Sequence, residues 1–473
     1  MRKIRKWTWI KQPEYIGGFL VLLFGIIFMV VLRPLNTPDE ANHFLRAYQI
    51  AEGDFTGRQN TKEGCLSEWK DSMNTDQALR TFFVPKSVAL FAVLDRSNYD
   101  ASKQYAVPLD ARNQIRVCAR QTSSNNPIGY IPQVIGITLG RIVHASPIVI
   151  DYLARIAVLL FWVACIFFAV RISPVRKWSL IAIALLPIAV QQSISIGADV
   201  MSIAPGILFM AVLLRSYYDD RSQYIKKDIT MLCAFATVAT LAKPVMIFLV
   251  LLIPFYIARK HPIMTVRPWR TKQNLITISA ALVPFVFYFI WNAIASMTGV
   301  SVTDIFSLAA EKMTLLSQHP FSVLHTFMRQ MYHYVVSGAS LDGFGSFGWF
   351  TYIMPALWMY AGISVMIMSL TLNYETKHTI TEKQRVLPYL RAIITIVAIL
   401  IVIANISSLF LIWTPLNAVA IQGMQFRYYL APLFLLAFVA LGSRKNVTEV
   451  WYRNLILVNS LVLFIVTILT IAN

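Results

Sequence analysis

The chain has 473 residues, of which 57% are hydrophobic and 14% charged, and its mean hydropathy is +0.59. A soluble globular protein of this size has no use for so much apolar surface, so the composition implies a polytopic membrane protein whose spans pack as one body, not a string of soluble domains. The net charge of +19 would admit a nucleic-acid partner, but its distribution along the chain argues for membrane topology instead.

The first apolar segment, Ile16 to Leu32, follows Arg2, Lys3, Arg5, Lys6 and Lys11, which predicts a cytoplasmic N-terminus over 1–15 and a first span over 16–32. Arg33-Pro34-Leu35-Asn36 comes next and offers no small-residue cleavage site, so this is a retained span and not a signal peptide. A long polar region runs from Arg33 to Pro127. Further spans are expected near 148–170, 179–198, 200–214, 229–242, 244–258, 274–297, 349–372, 389–413, 428–442 and 455–472. With about eleven spans, the basic connections at 171–177, 215–228, 259–273, 373–388 and 443–454 all fall on the side of the N-terminus. The opposite connections are nearly free of Lys and Arg, so the basic charge reads as a topology signal and no nucleic acid is expected.

Ile128 to Val143 is apolar, yet as a full span it would invert every later loop. It is therefore placed as a juxtamembrane or re-entrant helix on the external face. The division that follows is an external loop over 33–147, six spans over 148–297, a second external loop over 298–348 and four spans over 349–473, with an external C-terminus. The fold class is an all-α polytopic membrane protein with juxtamembrane helices in its large first external loop. Cys165 and Cys233 sit in apolar segments and read as inert buried thiols. Cys65 and Cys118 share the first external region, where a disulfide and two free thiols are both open.

The densest polar stretch is Thr37-Pro38-Asp39-Glu40-Ala41-Asn42-His43-Phe44-Leu45-Arg46, just past the first span. Thr37 and Glu40 have the spacing of a capping box with Pro38 at the first helical position, so Glu40 has a structural reading. At 100° per residue, Asp39, His43, Arg46 and Ile50 share one face and Phe44, Leu45 and Tyr48 the other, which predicts an amphipathic helix along the membrane. On its polar face Asp39 can act as general base or, with Glu40, as ligand for a divalent cation such as Mg or Mn. Arg46 can hold a phosphate. The bland reading of His43 and Arg46 is a solvated helix face.

Asn126-Pro127-Ile128-Gly129-Tyr130, Leu241-Ala242-Lys243-Pro244 and Gln422-Gly423-Met424-Gln425-Phe426-Arg427-Tyr428-Tyr429 follow in order. Together with the Asp39-Glu40 pair they resemble a bacterial family of multi-span proteins of unknown function, itself similar to the GT-C glycosyltransferases, from about Ile16 to Gly442. Where that family often has Gly after Gln425, this chain has Phe426. The resemblance implies transfer of a sugar from a polyprenyl-phosphate donor on the outer face of a bacterial plasma membrane. By position it makes Asp39 the catalytic carboxylate.

Lys243 lies between two apolar runs and Arg427 directly precedes one; such charges pair, face a cavity or snorkel. A lipid phosphate near the interface would suit both, with Tyr428 beside Arg427. In the second external region Arg329 and His333 share a helical face, near His325. Asp342-Gly343-Phe344-Gly345-Ser346-Phe347-Gly348 has no phosphate-loop pattern, and its aromatics suit an acceptor or sugar platform or a plain loop. Asp151 and Asp199 read as helix caps at external span ends. The His and Cys spacing lacks a zinc pattern, and no Ser-His-Asp set is defensible.

The expected function is glycosyl transfer, with Asp39 as base and Glu40 or His43 orienting it. Arg46, Lys243 and Arg427, with Tyr428, Arg329 and His333, are the candidate substrate contacts. The acceptor is a cell-envelope glycan or a lipid-linked acceptor. The rival classes are a transporter of lipid-linked glycan, which needs ionisable residues deep in several spans, and a non-catalytic subunit of a polysaccharide assembly complex.

Overall fold

The structure is a computed structural model, and it describes residues 12–59, 80–93, 100–118, 122, 125–218, 226–254, 272–297, 307–337, 343–375, 388–439 and 446–472. The helices in chain order begin with α1 (Pro13–Val31), α2 (Glu40–Ala51), α3 (Lys86–Ala92), α4 (Ala101–Tyr105), α5 (Ile131–Ile142) and α6 (Pro147–Ile172). Next come α7 (Lys177–Ala184), α8 (Pro187–Ile194), α9 (Asp199–Tyr218), α10 (Lys226–Ala242) and α11 (Lys272–Ser296). The last are α12 (Ser307–Gln318), α13 (Pro320–Val336), α14 (Ala356–Thr371), α15 (Pro388–Ile412), α16 (Leu430–Val439) and α17 (Glu449–Ala472). Stretches of 3-10 helix occupy Pro127–Tyr130, Pro244–Leu252 and Phe426–Tyr429.

Six described helical stretches are long and apolar enough to cross a membrane: α1, α6, α9, Ser279–Ser296, Leu390–Ile412 and α17. The pair α7 and α8, bent by 69°, makes a seventh if counted as one broken span. The remaining apolar segments carry helix too short for that test on its own, and the chain supplies the breaks. Lys243 is extended at φ −149°, as the residue before Pro244 must be, and this separates α10 from the 3-10 stretch. Pro355 likewise stands ahead of α14.

The largest core joins α1, α6, α7, α9 and α16 through Phe24, Phe28, Trp162, Trp178, Ile207 and Phe434. The outward faces stay apolar: α11 exposes Phe287, Phe289 and Ile290, and α17 exposes Val458, Leu461 and Leu469. Continuous apolar surface of this extent is stable against lipid tails and not against water. The chain is a multi-pass, mostly helical membrane protein.

A second core sits over the end of α1 and is made by α2, α3, α5 and a small sheet. In the sheet, β1 (Arg58–Gln59), β2 (Arg80–Pro85) and β3 (Gln114–Cys118) pair antiparallel, with Phe82 opposite Val117. The all-α reading lacked this sheet. Short pairs β4 (Ser346–Phe347) with β5 (Tyr352–Ile353), antiparallel, and β6 (Asn373–Glu375) with β7 (Asn446–Thr448), parallel, complete the strands.

Helix α5 has twelve residues, about 18 Å at 1.5 Å each, well short of the roughly 30 Å of a hydrocarbon core. It presents Ile131, Ile135, Leu139 and Ile142 outward and packs Gly136 and Gly140 against α6. A Cβ at Gly136 would lie 2.3 Å from the Leu153 carbonyl oxygen, so glycine is what lets the two backbones touch.

Helix α2 differs from the expected surface helix. Phe44, Leu45, Ala47, Tyr48 and also Arg46 and Gln49 are all buried, so no face of it is generally solvated. It begins at Glu40, because Asp39 adopts a left-handed conformation at φ 64° and Pro38 stays outside. Half of the expected capping box forms: Glu40 Oε2 accepts from the Thr37 N–H at 3.0 Å. The Thr37 hydroxyl instead bonds the Ser195 hydroxyl at 2.7 Å.

Candidate functional site

Four charged side chains from four separate elements form one alternating chain where the helices of the second core meet the bundle. Asp39 precedes α2, Arg427 lies in the 3-10 stretch leading to α16, Asp199 opens α9, and Lys243 links α10 to Pro244–Leu252. Arg427 Nη2 donates to Asp39 Oδ2 at 2.7 Å, and its Nη1 donates to the Pro38 carbonyl at 3.2 Å. Arg427 Nε stands 3.5 Å from Asp199 Oδ2, and Lys243 Nζ donates to Asp199 Oδ1 at 2.8 Å. Two carboxylates and two cations cancel, which is how a low-dielectric setting tolerates them. The side chains are 7% exposed at Arg427, 13% at Asp199, 23% at Lys243 and 31% at Asp39, so Asp39 is the member most open to a ligand.

Tyr428 orders the two cations. Lys243 Nζ lies 3.9 Å from its ring centroid and the Arg427 guanidinium carbon 5.2 Å. Phe426, which stands where a glycine is often found, is buried, with its ring edge-on to Phe344. The conformational freedom that the turn needs is supplied three residues earlier by Gly423, at φ 79°.

His43, one turn into α2, hydrogen-bonds through Nδ1 to the Tyr130 hydroxyl at 2.7 Å. That hydroxyl also accepts from the Asn125 side-chain amide at 2.9 Å, so His43, Tyr130 and Asn125 form one hydrogen-bonded cluster. Burial lowers the His43 pKa below the ordinary value, with Arg427 acting in the same direction against the carboxylates of Asp39, Asp199 and Glu40. Burial also raises the Tyr130 pKa. Both groups are therefore neutral near pH 7.

Glu40, although adjacent to Asp39, faces another way. Its Oε1 accepts from the Ile196 N–H at 2.9 Å, and its Oε2 accepts from Arg155 Nη2 at 3.1 Å besides the Thr37 N–H. Arg155, fully buried in α6, also donates to the carbonyls of Leu32 and Arg33 at the end of α1, and its Nε lies 3.1 Å from Asp151. Glu40 is thus an anchor that fastens the α1–α2 turn to α6, not an orienting partner of Asp39. The Asp39–Glu40 pair does not fit a divalent cation, because both Glu40 oxygens already serve protein donors. Among the described residues no group of three or more His, Cys, Asp or Glu side chains converges as a metal centre would.

Other expectations are corrected by the same geometry. Arg46 is fully buried and donates to Gln49 Oε1 and to the carbonyls of Phe55 and Asn125, so it ties down the backbone after α2 and does not face a phosphate. Asp151 lies inside α6, paired with Arg155, and Asp199 is a partner of Lys243 and Arg427; neither is a cap. Arg329 and His333 are exposed on α13, while the opposite face of that helix docks through Gln330 and through the Tyr334 hydroxyl, 3.0 Å from that of Tyr429. Neither has a described polar contact with the Asp39–Lys243 chain. Cys65 and Asp342 lie outside the described residues.

Sequence reasoning missed Asp199, Gln191 and Gln192. Asp199 carried a signal, a lone carboxylate at the end of an apolar segment, but its partners are 44 and 228 positions away and invisible to spacing.

Two cavities flank the chain of charges and share Arg427. One, a narrow cleft, is lined by Asp199, Lys243, Asn405, Arg427 and Tyr428 among the helices. The other, equally narrow, is bounded by Thr37, Pro38, Gln191, Gln192 and the loop around Gly343–Phe350.

Fold and site together define a polytopic membrane protein with a charged centre at one end of its helical bundle. The chain belongs to the family described as Predicted membrane protein (DUF2142), whose model matches residues 22–470. No curated protein matches it. Among solved structures it is similar to the Archaeoglobus fulgidus oligosaccharyltransferase AglB in complex with an inhibitory peptide and a dolichol-phosphate, at TM-score 0.39 and 13% identity over 98% of this chain and 56% of that one. It is also similar to the apo form of the Archaeoglobus fulgidus oligosaccharyltransferase, at TM-score 0.40 and 12% identity over 98% and 57%. The chain spans little more than half the length of these proteins.

Proposed function

We propose that the protein is a membrane glycosyltransferase that moves a sugar from a polyprenyl-phosphate donor to a cell-envelope glycan or lipid-linked acceptor at the outer face of a bacterial plasma membrane. The observation that carries this reading is the Asp39–Arg427–Asp199–Lys243 chain: one open carboxylate, two cations and a flanking cavity, all at one end of the bundle. In the proposed topology about eleven apolar segments cross or enter the bilayer, the N-terminus is cytoplasmic, and 33–147 and 298–348 lie outside.

The lipid phosphate enters the cavity lined by Lys243, Arg427 and Tyr428, where fixed cations stabilise the charge that grows as it departs. It competes with Asp39 for the Arg427 guanidinium. Drawing Arg427 toward the phosphate leaves the Asp39 carboxylate free to accept a proton. The acceptor hydroxyl then bonds to the anomeric carbon, the bond from that carbon to the phosphate oxygen breaks, and the hydroxyl proton passes to Asp39. His43, held by the Tyr130 hydroxyl one turn along α2 from Asp39, orients the reacting oxygen.

The test is transfer of labelled sugar from synthetic polyprenyl-phosphate donors by the purified protein, with Asp39→Asn in parallel. Asparagine tolerates the left-handed backbone of position 39, so this variant isolates the charge. Loss of transfer by about a hundredfold or more in a folded variant is expected for a missing general base. Full activity in Asp39→Asn would overturn the assignment.

A further inference from the structure

At 100° per residue the side chains of α13 divide into three faces. The first is docked. Val323, Gln330 and Tyr334 are buried, and Val323 and Tyr334 pack with Ile406 and Phe410 near the end of α15 and with Ile421 and Met424. Gln330 Nε2 donates to the carbonyls of Pro415 at 3.0 Å and Ala418 at 2.9 Å, which fixes the helix to the segment that follows α15. The Tyr334 hydroxyl meets that of Tyr429, two residues beyond Arg427. Helix α13 therefore lies at the same end of the bundle as the charged centre.

The second face is apolar and open. Phe321, Leu324, Met328, Tyr332 and Val335 fall within an arc of about 80°, and all five are exposed, Phe321 by 84% and Tyr332 by 62%. The third face lies beside it and carries His325, Arg329 and His333, all exposed, and α13 contains no Asp or Glu. The helix has 17 residues, about 25 Å at 1.5 Å each and short of the roughly 30 Å of a hydrocarbon core. A crossing would also carry its basic face into lipid tails.

An apolar arc beside a cationic one suits a helix lying in the plane of a bilayer surface. Its apolar side chains reach the acyl boundary and its cations meet lipid phosphates. The position agrees. The stretch Leu390–Ile412 of α15 is long and apolar enough to cross a membrane, and Trp413, directly after it, is 43% exposed, where an aromatic ring marks the boundary between membrane and water. A second copy of this chain set against the same surface would bring like charges together, whereas an anionic lipid surface complements them.

We infer that α13 is an interfacial helix whose Phe321–Val335 face seats in the headgroup–acyl boundary of the leaflet at the site end of the bundle, with Arg329 binding the phosphate of anionic phospholipids. The inference is independent of the proposed glycosyl transfer.

The test introduces a photoreactive side chain singly into the full-length protein, as Phe321→benzoylphenylalanine and Tyr332→benzoylphenylalanine on α13. Phe289→benzoylphenylalanine on the outward face of α11 is the lipid-facing control. All three positions are exposed, so the larger ring is accommodated and the fold retained. The variants are illuminated in native membranes and, after purification, in nanodiscs of equal phosphatidylglycerol and phosphatidylcholine, and the adducts are identified by mass. We expect phospholipid adducts at 321 and 332, with phosphatidylglycerol favoured about fivefold at 332, the effect of one cation near a lipid surface. Arg329→Gln, combined with Tyr332→benzoylphenylalanine, abolishes that preference while the adducts persist. Lipid adducts at 289 with none at 321 or 332 would place the face in water and overturn the inference. Adducts to a protein chain in native membranes would overturn it in favour of a protein interface. Lipid adducts without headgroup preference, or with a preference that survives Arg329→Gln, would overturn the phosphate contact.

Discussion

Glu40→Gln separates anchor from chemistry at the Asp39–Glu40 pair. The wild-type carboxylate accepts from the Thr37 and Ile196 N–H groups and from Arg155, whose guanidinium is fully buried. Glutamine keeps one acceptor oxygen and presents an NH2 where the other stood, so one oxygen must serve where two did. Removing one partner of a buried ion pair costs about 3–5 kcal/mol, and a stranded backbone N–H adds about 1–3. Asp151 still faces Arg155 in the variant, which moderates the loss, so we expect about 3 kcal/mol for Glu40→Gln and about 5 for Glu40→Ala. Asp39→Asn, in contrast, removes a carboxylate that is 31% exposed and leaves Arg427 facing Asp199, so it should cost less, about 1–2 kcal/mol. The assay is the midpoint of thermal unfolding in detergent, read for both variants beside their transfer activity. Arg155→Met combined with Glu40→Gln should recover part of the loss, because each single change strands the other partner. A Glu40→Gln protein that melts like the wild type yet transfers no sugar would refute the anchor and return Glu40 to the reaction.

Three further outcomes follow from the geometry. Burial holds the His43 pKa below 6.5, so between that depressed value and 6.5 the unfolded chain binds a proton that the folded chain does not. Stability should therefore fall as pH drops through that window, and His43→Asn should flatten the dependence; equal slopes in melting midpoint against pH would refute this. Lys243→Ala removes a charge-assisted contact from the phosphate-side cavity and should weaken decaprenyl-phosphate binding about ten- to a hundredfold, an expectation that unchanged equilibrium binding would sink. Gly136→Ala would set a Cβ 2.3 Å from the Leu153 carbonyl and 2.6 Å from the Ala154 Cα, backbone atoms that cannot swing aside. We expect about 1–3 kcal/mol of destabilisation, seen as a lower unfolding midpoint, and an unmoved midpoint would show that α5 and α6 are not in such contact.

The sequence by itself determined the solvent of this protein. Hydropathy and length depend on local composition alone, so the apolar segments largely coincide with helices, six of them among the described residues long enough to cross a membrane, or seven with the bent pair α7 and α8. It also singled out Asp39, Lys243 and Arg427, since charges beside apolar runs are conspicuous wherever they end up. What the chain could not disclose locally is which charge meets which. Periodicity treated α2 as a two-faced surface helix, but α5, α3 and the small sheet cover it, and Arg46 turns inward to backbone carbonyls. Glu40 and Asp39 are neighbours in sequence, yet the left-handed backbone at Asp39 sends one toward Arg155 and the other toward Arg427. Asp199 entered the centre only through partners brought from α10 and the turn before α16. Ion pairing depends on separation in space, and for residues hundreds of positions apart only the packed bundle sets that distance.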